Sequence, residues 1–193
     1  REEDCWLYNA WKYKIPVYVP GREDSTMGNI FTHACYNGNH PFLSKYKLEQ
    51  PISKSVVKHN FEYMHHIAER YMDQARSDSK IAFLQLGGGI AADFPICVVP
   101  HIKHDYLAEE SDADKDALVL PWACFVEINS GDMSYGSYTS AGYDEKITWD
   151  KLTQDTPMFV IESDATIVAP LMLSALLEYR QHPEAARALL SGG

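Results

Sequence analysis

The stretch "KIAFLQLGGGI", residues 80–90, joins a strand-like apolar run to three successive glycines. Residues 80–86 are mostly apolar, as in strands of parallel sheets that are covered on both faces. In open α/β folds, ligands bind at the carboxyl ends of the strands, where glycine lets the backbone approach a phosphate or a ribose. The run lacks the spacing GxGxxG, so a tight turn without a ligand is the alternative. The stretch therefore predicts an α/β sheet with a candidate ligand edge.

Helix-like and strand-like segments alternate on both sides of this stretch. Helices are expected at 2–12, 26–36, 53–76, 90–103 and 166–181, and short strands at 15–20, 80–86, 122–128 and 158–163. In the helix at 53–76, apolar residues recur at spacings of three and four. Strands that alternate with helices predict a mostly parallel sheet with helices on both faces.

Composition and charge exclude several classes of function. The 193 residues suit one domain with a sizeable core, and the net charge of −10 argues against a nucleic-acid or anionic membrane partner. No apolar run has the length of a transmembrane helix. Four scattered cysteines without a CxxC motif are typical of reduced thiols in the cytoplasm. Because the chain begins at Arg1 and its first methionine is Met27, we expect a fragment or a processed chain.

Acidic residues follow two of the predicted strands. Asp24, Ser25 and Thr26 come after the strand at 15–20, and "ESDAT" (162–166) repeats the pattern with Asp164. A carboxylate at such a turn can hold a ribose hydroxyl, but it can equally cap the following helix. Together with the glycines, the two turns indicate a dinucleotide site.

The segment "DEKITWDKL", residues 144–152, contains two lysines. The usual interpretation is a salt-bridged surface turn, and we expect it to hold for Lys146. Lys151 lies two residues after Trp149, whose ring can exclude water; desolvation would lower the pKa of this lysine and leave a nucleophilic amine. Glu145 would then orient an ammonium substrate or move protons.

Histidines raise the alternative of a metal site. Five of the eight histidines form two groups, His59, His65 and His66 in the predicted helix at 53–76 and His101 and His104 at the end of the one at 90–103. No acid or cysteine completes a recognised ligand pattern, so no metal is predicted.

Five ordered motifs resemble those of the deoxyhypusine synthase family. They are "PVYVPGREDSTMGNIF" (16–31), "LQLGGGIAADF" (84–94), "EINSGDMSYGS" (127–137), "DEKITWDKL" (144–152) and "ESDATIVAPLM" (162–172). The resemblance runs from about residue 14 to 180 and covers about the C-terminal half of the family chain. It implies that residues 1–193 are the C-terminal portion of one larger, Rossmann-like, NAD-binding domain.

The resemblance also implies a reaction. NAD oxidises spermidine to an imine, Lys151 attacks it and releases diaminopropane, and the aminobutyl group passes to a lysine of the precursor of translation factor five A. The implied polyamine contacts are Glu145, Trp149, Asn29, Asp93 and Tyr138. The implied NAD contacts are Asp24, Thr26, Gly87, Gly88, Gly89, Ser130, Gly131, Asp164 and Ala165.

Three positions depart from the eukaryotic pattern. Asn29 and Tyr138 replace aspartates, and Asp93 replaces a histidine. The stretches "EDSTMGNIF" (23–31) and "YGSYTSAG" (135–142) are closer to the bacterial-type branch. There the same chemistry on a free amine, giving a homospermidine-type polyamine, is the alternative. A regulatory subunit of a heteromeric synthase is a further alternative, and the presence of Lys151 argues against it. The family implies a cytoplasmic tetramer, in which this chain needs the N-terminal half of the same enzyme.

Overall fold

The structure is a computed structural model that describes residues 1–37, 59–77, 79–131, 142–184 and 187. Contacts divide the chain into two units, Arg1–His66 and Ile67–Gly193, and each is described by itself. Among the described residues, no helix combines the length and the apolar character needed to cross a membrane.

Helices and strands alternate in the second unit. The chain contains, in order, α1 (Trp6–Lys12), α2 (Thr26–Asn37), α3 (Asn60–Arg76), β1 (Ala82–Leu86), α4 (Ile90–Ile96), α5 (Val98–His101), α6 (Asp112–Leu118), β2 (Cys124–Asn129), α7 (Tyr143–Thr148), β3 (Met158–Glu162) and α8 (Ala165–Gln181). A π-helical turn, Ile102–Tyr106, continues α5, and 3-10 turns occupy Glu2–Asp4 and Arg22–Asp24.

The three strands form one parallel sheet in the order β1-β2-β3. Phe83 pairs with Phe125 and Phe125 with Met158, so these side chains point to one face, as do Gln85 and Glu127 two residues further along. With helices around the parallel sheet, the fold is α/β and Rossmann-like, and this prediction is confirmed.

The hydrophobic core of the second unit lies on that face of the sheet. The ring of Trp122 meets Tyr71 and Phe83 edge to face, with centroids 4.9 and 5.0 Å apart, and Phe83 stacks on Phe125. The other core members are Ala68, Ile96, Val98, Val99, Ile102, Val119 and Leu152. The core thus joins α3, α4, α5 and the segment after α7 to the sheet.

The opposite face of the sheet presents apolar side chains to solvent. Leu84 and Leu86 are 42% and 50% exposed, and Phe159, in register with Leu84 across β2, is 58% exposed. Helix α8 contacts β2, yet it also exposes Leu171 and other leucines. A parallel sheet is normally covered on both faces, so this surface is suited to contact with further polypeptide.

The first unit shows why the glycine of "DSTMG" is needed. Ser25 is extended and its hydroxyl accepts a 3.0 Å hydrogen bond from the N–H of Gly28, which caps α2. A Cβ at Gly28 would lie 2.5 Å from the carbonyl oxygen of Arg22. The capping interpretation of this motif therefore holds for Ser25.

The structure corrects one expected element, describes part of another and adds a third. Residues 15–20 form no strand, because Pro16 and Pro20 cannot donate to a ladder and no described strand pairs with them. Helix α3 begins at Asn60, and residues 53–58 of the expected helix lie outside the described residues. Helix α6, Asp112–Leu118, was not predicted; the Ser111 hydroxyl caps it by accepting from the N–H of Asp114.

Candidate active site

The carboxyl ends of the three strands meet at one edge of the sheet. The backbone N–H of Gly87 donates to the carbonyl oxygen of Ile128 at 2.9 Å, and that of Ser163 donates to Asn129 at 3.1 Å. The predicted cofactor contacts at 87–89, 130–131 and 164–165 follow these three strands directly. This edge therefore brings those residues to the same side of the sheet.

The glycine turn presents bare backbone at this edge. Gly87 and Gly89 both have φ of +74°, in the left-handed region, where a side chain would be strained. A Cβ at either position would have no neighbouring atom within 4 Å. The surroundings leave room for a ligand to approach the turn. Helix α4 starts at Ile90, and its first turn carries Asp93.

A tight turn after α7 positions Lys151. Asp150 adopts a left-handed conformation with φ of 56°, and its N–H donates to the carbonyl oxygen of Ile147 at 2.9 Å. The N–H of Lys151 donates to Lys146 at 2.9 Å, so the pair of bonds forms a Schellman motif. Leu152, the next residue, is buried in the core. Both ends of this turn are thereby held.

Lys151 and Asp93 form an ion pair across 58 residues of sequence. Nζ of Lys151 lies 2.8 Å from Oδ1 of Asp93, and the side chains are 12% and 30% exposed. Cys97, one helical turn after Asp93, lies with its Sγ 3.7 Å from the same oxygen. A buried amine, a carboxylate and a thiol thus converge at the ligand edge.

The pKa of Lys151 shifts in the direction opposite to the predicted one. Burial by itself lowers this pKa, but the hydrogen bond to Asp93 and the charges of Cys97, Asp93 and Glu145 outweigh it, so the pKa is raised. The predicted shield, Trp149, is 62% exposed. The expectation that Trp149 desolvates Lys151 and lowers its pKa is therefore wrong, because an acid reaches the amine directly.

Lys146 is buried, and its expected surface position is wrong. Its Nζ lies 3.4 Å from Oε2 of Glu127 in β2 and 5.2 Å from the ring centroid of Phe125. Asn129 donates to the other oxygen of Glu127 at 3.4 Å. The sequence signal for this pair was Glu127, the single charged residue in the strand "CFVEIN", since a buried carboxylate requires a partner.

The remaining predicted residues of the second unit are capping or exposed groups. Asp164 caps α8: its Oδ1 accepts from the N–H of Thr166 at 2.8 Å and from the Thr166 hydroxyl at 2.7 Å. These bonds, the hydroxyl first, lower the pKa of Asp164. The N–H of Gly131 donates to Asn129 at 3.0 Å. Glu145 is exposed on α7.

Other predicted contacts belong to the first unit or lie outside the described residues. Thr26 and Asn29 are exposed on α2 in the first unit, where the Asp24 side chain lies outside what the structure describes. Tyr138 also lies outside the described residues. Within the described part of the chain, no three His, Cys, Asp or Glu side chains gather as metal ligands.

The comparison with protein families identifies the family of the chain. The sequence model of the deoxyhypusine synthase family matches residues 1–176 of the 193. The chain belongs to the deoxyhypusine synthase family. The resemblance of the five motifs to this family is thereby confirmed.

Several curated deoxyhypusine synthases are similar to this chain in sequence. A probable deoxyhypusine synthase of Picrophilus torridus is 23% identical over 176 residues, which are 91% of this chain and 45% of the relative. The deoxyhypusine synthases of Kluyveromyces lactis and Arabidopsis thaliana are 25% and 24% identical over 90% and 89% of this chain. Those matches cover 37% and 38% of the relatives. The chain thus spans less than half the length of these curated relatives.

Proposed function

We propose that this chain is the part of an NAD- and spermidine-dependent deoxyhypusine synthase that contains the catalytic lysine. The observation that supports the proposal best is Lys151, a largely buried amine held 2.8 Å from Asp93 at the carboxyl edge of the sheet. An enclosed lysine with an acid partner has the composition needed to form an imine with an amine-derived substrate. The proposed overall reaction is transfer of an aminobutyl group from spermidine to a lysine of the precursor of translation factor five A.

The residues at the edge fit NAD. The uncrowded backbone at Gly87 and Gly89 suits close approach of a pyrophosphate or ribose, and the exposed carboxylate of Asp164 follows another strand of the same sheet. We propose that Gly88, Ser130, Gly131 and Ala165 complete this surface, with Asp24 and Thr26 as further contacts. Bound NAD would supply the oxidising equivalent that converts the secondary amine of spermidine to an imine.

The chain's own residues have distinct proposed roles. Lys151 forms the covalent bond to the four-carbon unit. Glu145 and Trp149, both exposed beside the Schellman turn, bind the ammonium groups and methylenes of the polyamine, which suits a carboxylate and an aromatic face. Asn29 and Tyr138 are proposed as further polyamine contacts.

The identity of the acceptor amine distinguishes two candidate reactions. Asn29 and Tyr138 carry no charge, so fewer acids surround the polyamine than in the eukaryotic pattern. This difference favours, as the second candidate, transfer to a free diamine with formation of a homospermidine-type product. The two candidates share every step up to the lysine imine.

We also propose a partner for the exposed face of the sheet. The curated relatives are more than twice as long as the matched region, and Leu84, Leu86 and Phe159 are open to solvent. The N-terminal half of the same enzyme would supply the missing cover, and complete units would assemble as a tetramer. All four cysteines are free thiols, which suits a cytoplasmic enzyme.

The test is covalent trapping in the native assembly, purified through a tag on this chain. With labelled spermidine and NAD, borohydride is expected to fix the label on Lys151, and Lys151→Arg is expected to abolish it. Lys80→Arg, at an exposed lysine, is the matched control and should retain full labelling. Intact masses of the denatured assembly would reveal the N-terminal half.

Adding the precursor protein or putrescine after the first step distinguishes the acceptors. Chase of the label onto the precursor supports the protein-modifying function, and chase onto putrescine supports the alternative. Label on a residue other than Lys151, or no label with both NAD and spermidine present, would contradict the proposed function.

A further inference from the structure

The Lys151–Asp93 contact is fixed by the backbone on both sides. The N–H of Asp93 donates to the carbonyl oxygen of Gly89 at 3.0 Å, and that of Lys151 donates to Lys146 at 2.9 Å. Because the 2.8 Å distance between Nζ and Oδ1 joins two anchored elements, the pair is held without a ligand. The ion pair is a built part of the site.

This arrangement creates a chemical problem for the proposed function. With its pKa raised, Lys151 is an ammonium ion at neutral pH, and an ammonium has no lone pair for attack on an imine carbon. A proton must leave Nζ at the moment of attack. The acceptor has to lie within hydrogen-bond distance, and Asp93 is the carboxylate at that distance among the described residues.

We propose that Asp93 is the catalytic base for Lys151 and relays protons from Nζ to the departing amine. The inference rests on the proposed function. Oδ1 of Asp93 takes one proton from Nζ, and the freed lone pair forms the new N–C bond to the protonated imine, whose C=N bond becomes a single bond. The Asp93 carboxyl group gives this proton to the old nitrogen and, again a carboxylate, takes a second proton from Nζ. The lone pair left on Nζ forms a C=N bond as the old C–N bond breaks, and diaminopropane departs with the second proton from Asp93. Lys151 retains the four-carbon unit as a protonated imine. Nζ has then lost two protons, both to diaminopropane, Asp93 ends as a carboxylate, and nothing is oxidised or reduced in this step.

Cys97 acts as a positioning residue for Asp93. Burial, its largest influence, raises the pKa of the Cys97 thiol, so at neutral pH this group is protonated and able to donate. Its Sγ lies 3.7 Å from Oδ1, the same oxygen that faces Lys151. The thiol therefore helps to aim that oxygen between the helix and the amine.

Asp93→Asn distinguishes a catalytic base from a residue that acts only through its charge, because the two roles predict opposite changes in the rate at which Lys151 is labelled by the substrate. The substitution removes the charge that raises the pKa of Lys151, so acetic anhydride, without NAD or spermidine, should acetylate Lys151 faster than in wild type at pH 8. In the trapping reaction, loss of the base should slow labelling of Lys151 by about 100-fold or more. The expected result is therefore faster acetylation of Lys151 together with slower labelling of Lys151 in the trapping reaction.

The matched control is Asp116→Asn, which breaks the ion pair between Lys103 and Asp116. That pair is 2.9 Å long and, like the Lys151–Asp93 pair, joins an aspartate to a mostly covered lysine. It should change neither measurement at Lys151. Acetylation of the buried Lys146 in the same samples reports folding, since this amine stays protected only in a folded chain.

Asp93→Glu keeps a carboxylate, so its rate of labelling at Lys151 is expected to stay within about tenfold of the wild-type rate. This variant tests the proposed base even if Asp93→Asn unfolds. Wild-type trapping with an undiminished rate in folded Asp93→Asn would overturn the base while leaving the function intact. A 100-fold loss in Asp93→Glu with Lys146 protected would overturn it as well. No trapping in wild type would overturn both.

Discussion

The backbone N–H of Lys151 donates a 2.9 Å hydrogen bond to the carbonyl oxygen of Lys146. The side chain of Lys146 in turn reaches 3.4 Å to Glu127 in the central strand, where both groups are buried. The proposed nucleophile is therefore tied to the sheet through a second lysine. The buried pair thereby helps to hold the backbone at Lys151 in place.

Breaking this buried pair should be costly. Glu127→Gln leaves the Lys146 ammonium buried without its counter-charge, so we expect the free energy of unfolding to fall by about 3 kcal/mol. Urea unfolding followed by circular dichroism measures the change. Asp73→Asn is the control, because it breaks an Arg76–Asp73 pair of the same 3.4 Å length at the surface and should cost about 0.5 kcal/mol or less. Equal losses in the two variants would contradict a special role of burial.

The left-handed conformation of Asp150 should restrict what can replace it. At φ of 56°, a β-branched side chain is strained, so Asp150→Val should lower the free energy of unfolding by about 1–2 kcal/mol. Asp150→Gly adopts this φ freely and should lose less. Both variants remove the exposed contact between Asp150 and His104, so their difference in thermal unfolding reports the backbone alone. Identical unfolding curves would show that the turn tolerates either conformation.

Gly28 should resist substitution for a steric reason. In Gly28→Ala, the new Cβ would meet the Arg22 carbonyl oxygen at 2.5 Å, and we expect a loss of about 1–3 kcal/mol together with faster proteolysis of the first unit. Gly142→Ala is the control, since its Cβ would contact nothing within 4 Å. There the entropy gain and the weaker N-cap nearly cancel, to within about 0.5 kcal/mol. Equal proteolysis rates would argue against the clash.

The N-cap of α8 should make stability depend on pH. Because the pKa of Asp164 is lowered in the folded chain, its carboxylate stabilises the fold above the unfolded pKa. That contribution is lost as pH falls through the folded-state pKa. Asp164→Asn should therefore unfold at a lower temperature than wild type near pH 7, and the gap should close in strong acid. A gap that does not change with pH would mean that the charge does not contribute.

The elements that local composition determines could be predicted from the sequence. The strand at Ala82–Leu86 and the turn at Gly87–Gly89 follow from an apolar run and from glycines at positive φ. Residues 15–20 look equally strand-like, but a strand requires a partner, and a single segment does not reveal whether one exists.

The chemistry around the two lysines depended on long-range contacts. Asp93 and Lys151 are 58 residues apart, so no local pattern joins them, and the aromatic neighbour Trp149 suggested a shield that the fold turns outward. Helix α7 has only six residues, too few for periodicity to show which face is buried. The burial of Lys146 could be inferred only from its partner in β2.

The Glu127–Lys146 pair has a consequence for how the family diverges. A change of either residue alone would strand one charge in the interior, whereas an uncharged pair of similar volume would pack there without loss. Across an alignment of homologues, the two columns are therefore expected to covary: sequences that keep a base at position 146 should keep an acid at 127, and sequences that lack one should lack the other. The contact between the two residues would then be detectable from the covariation of homologous sequences alone.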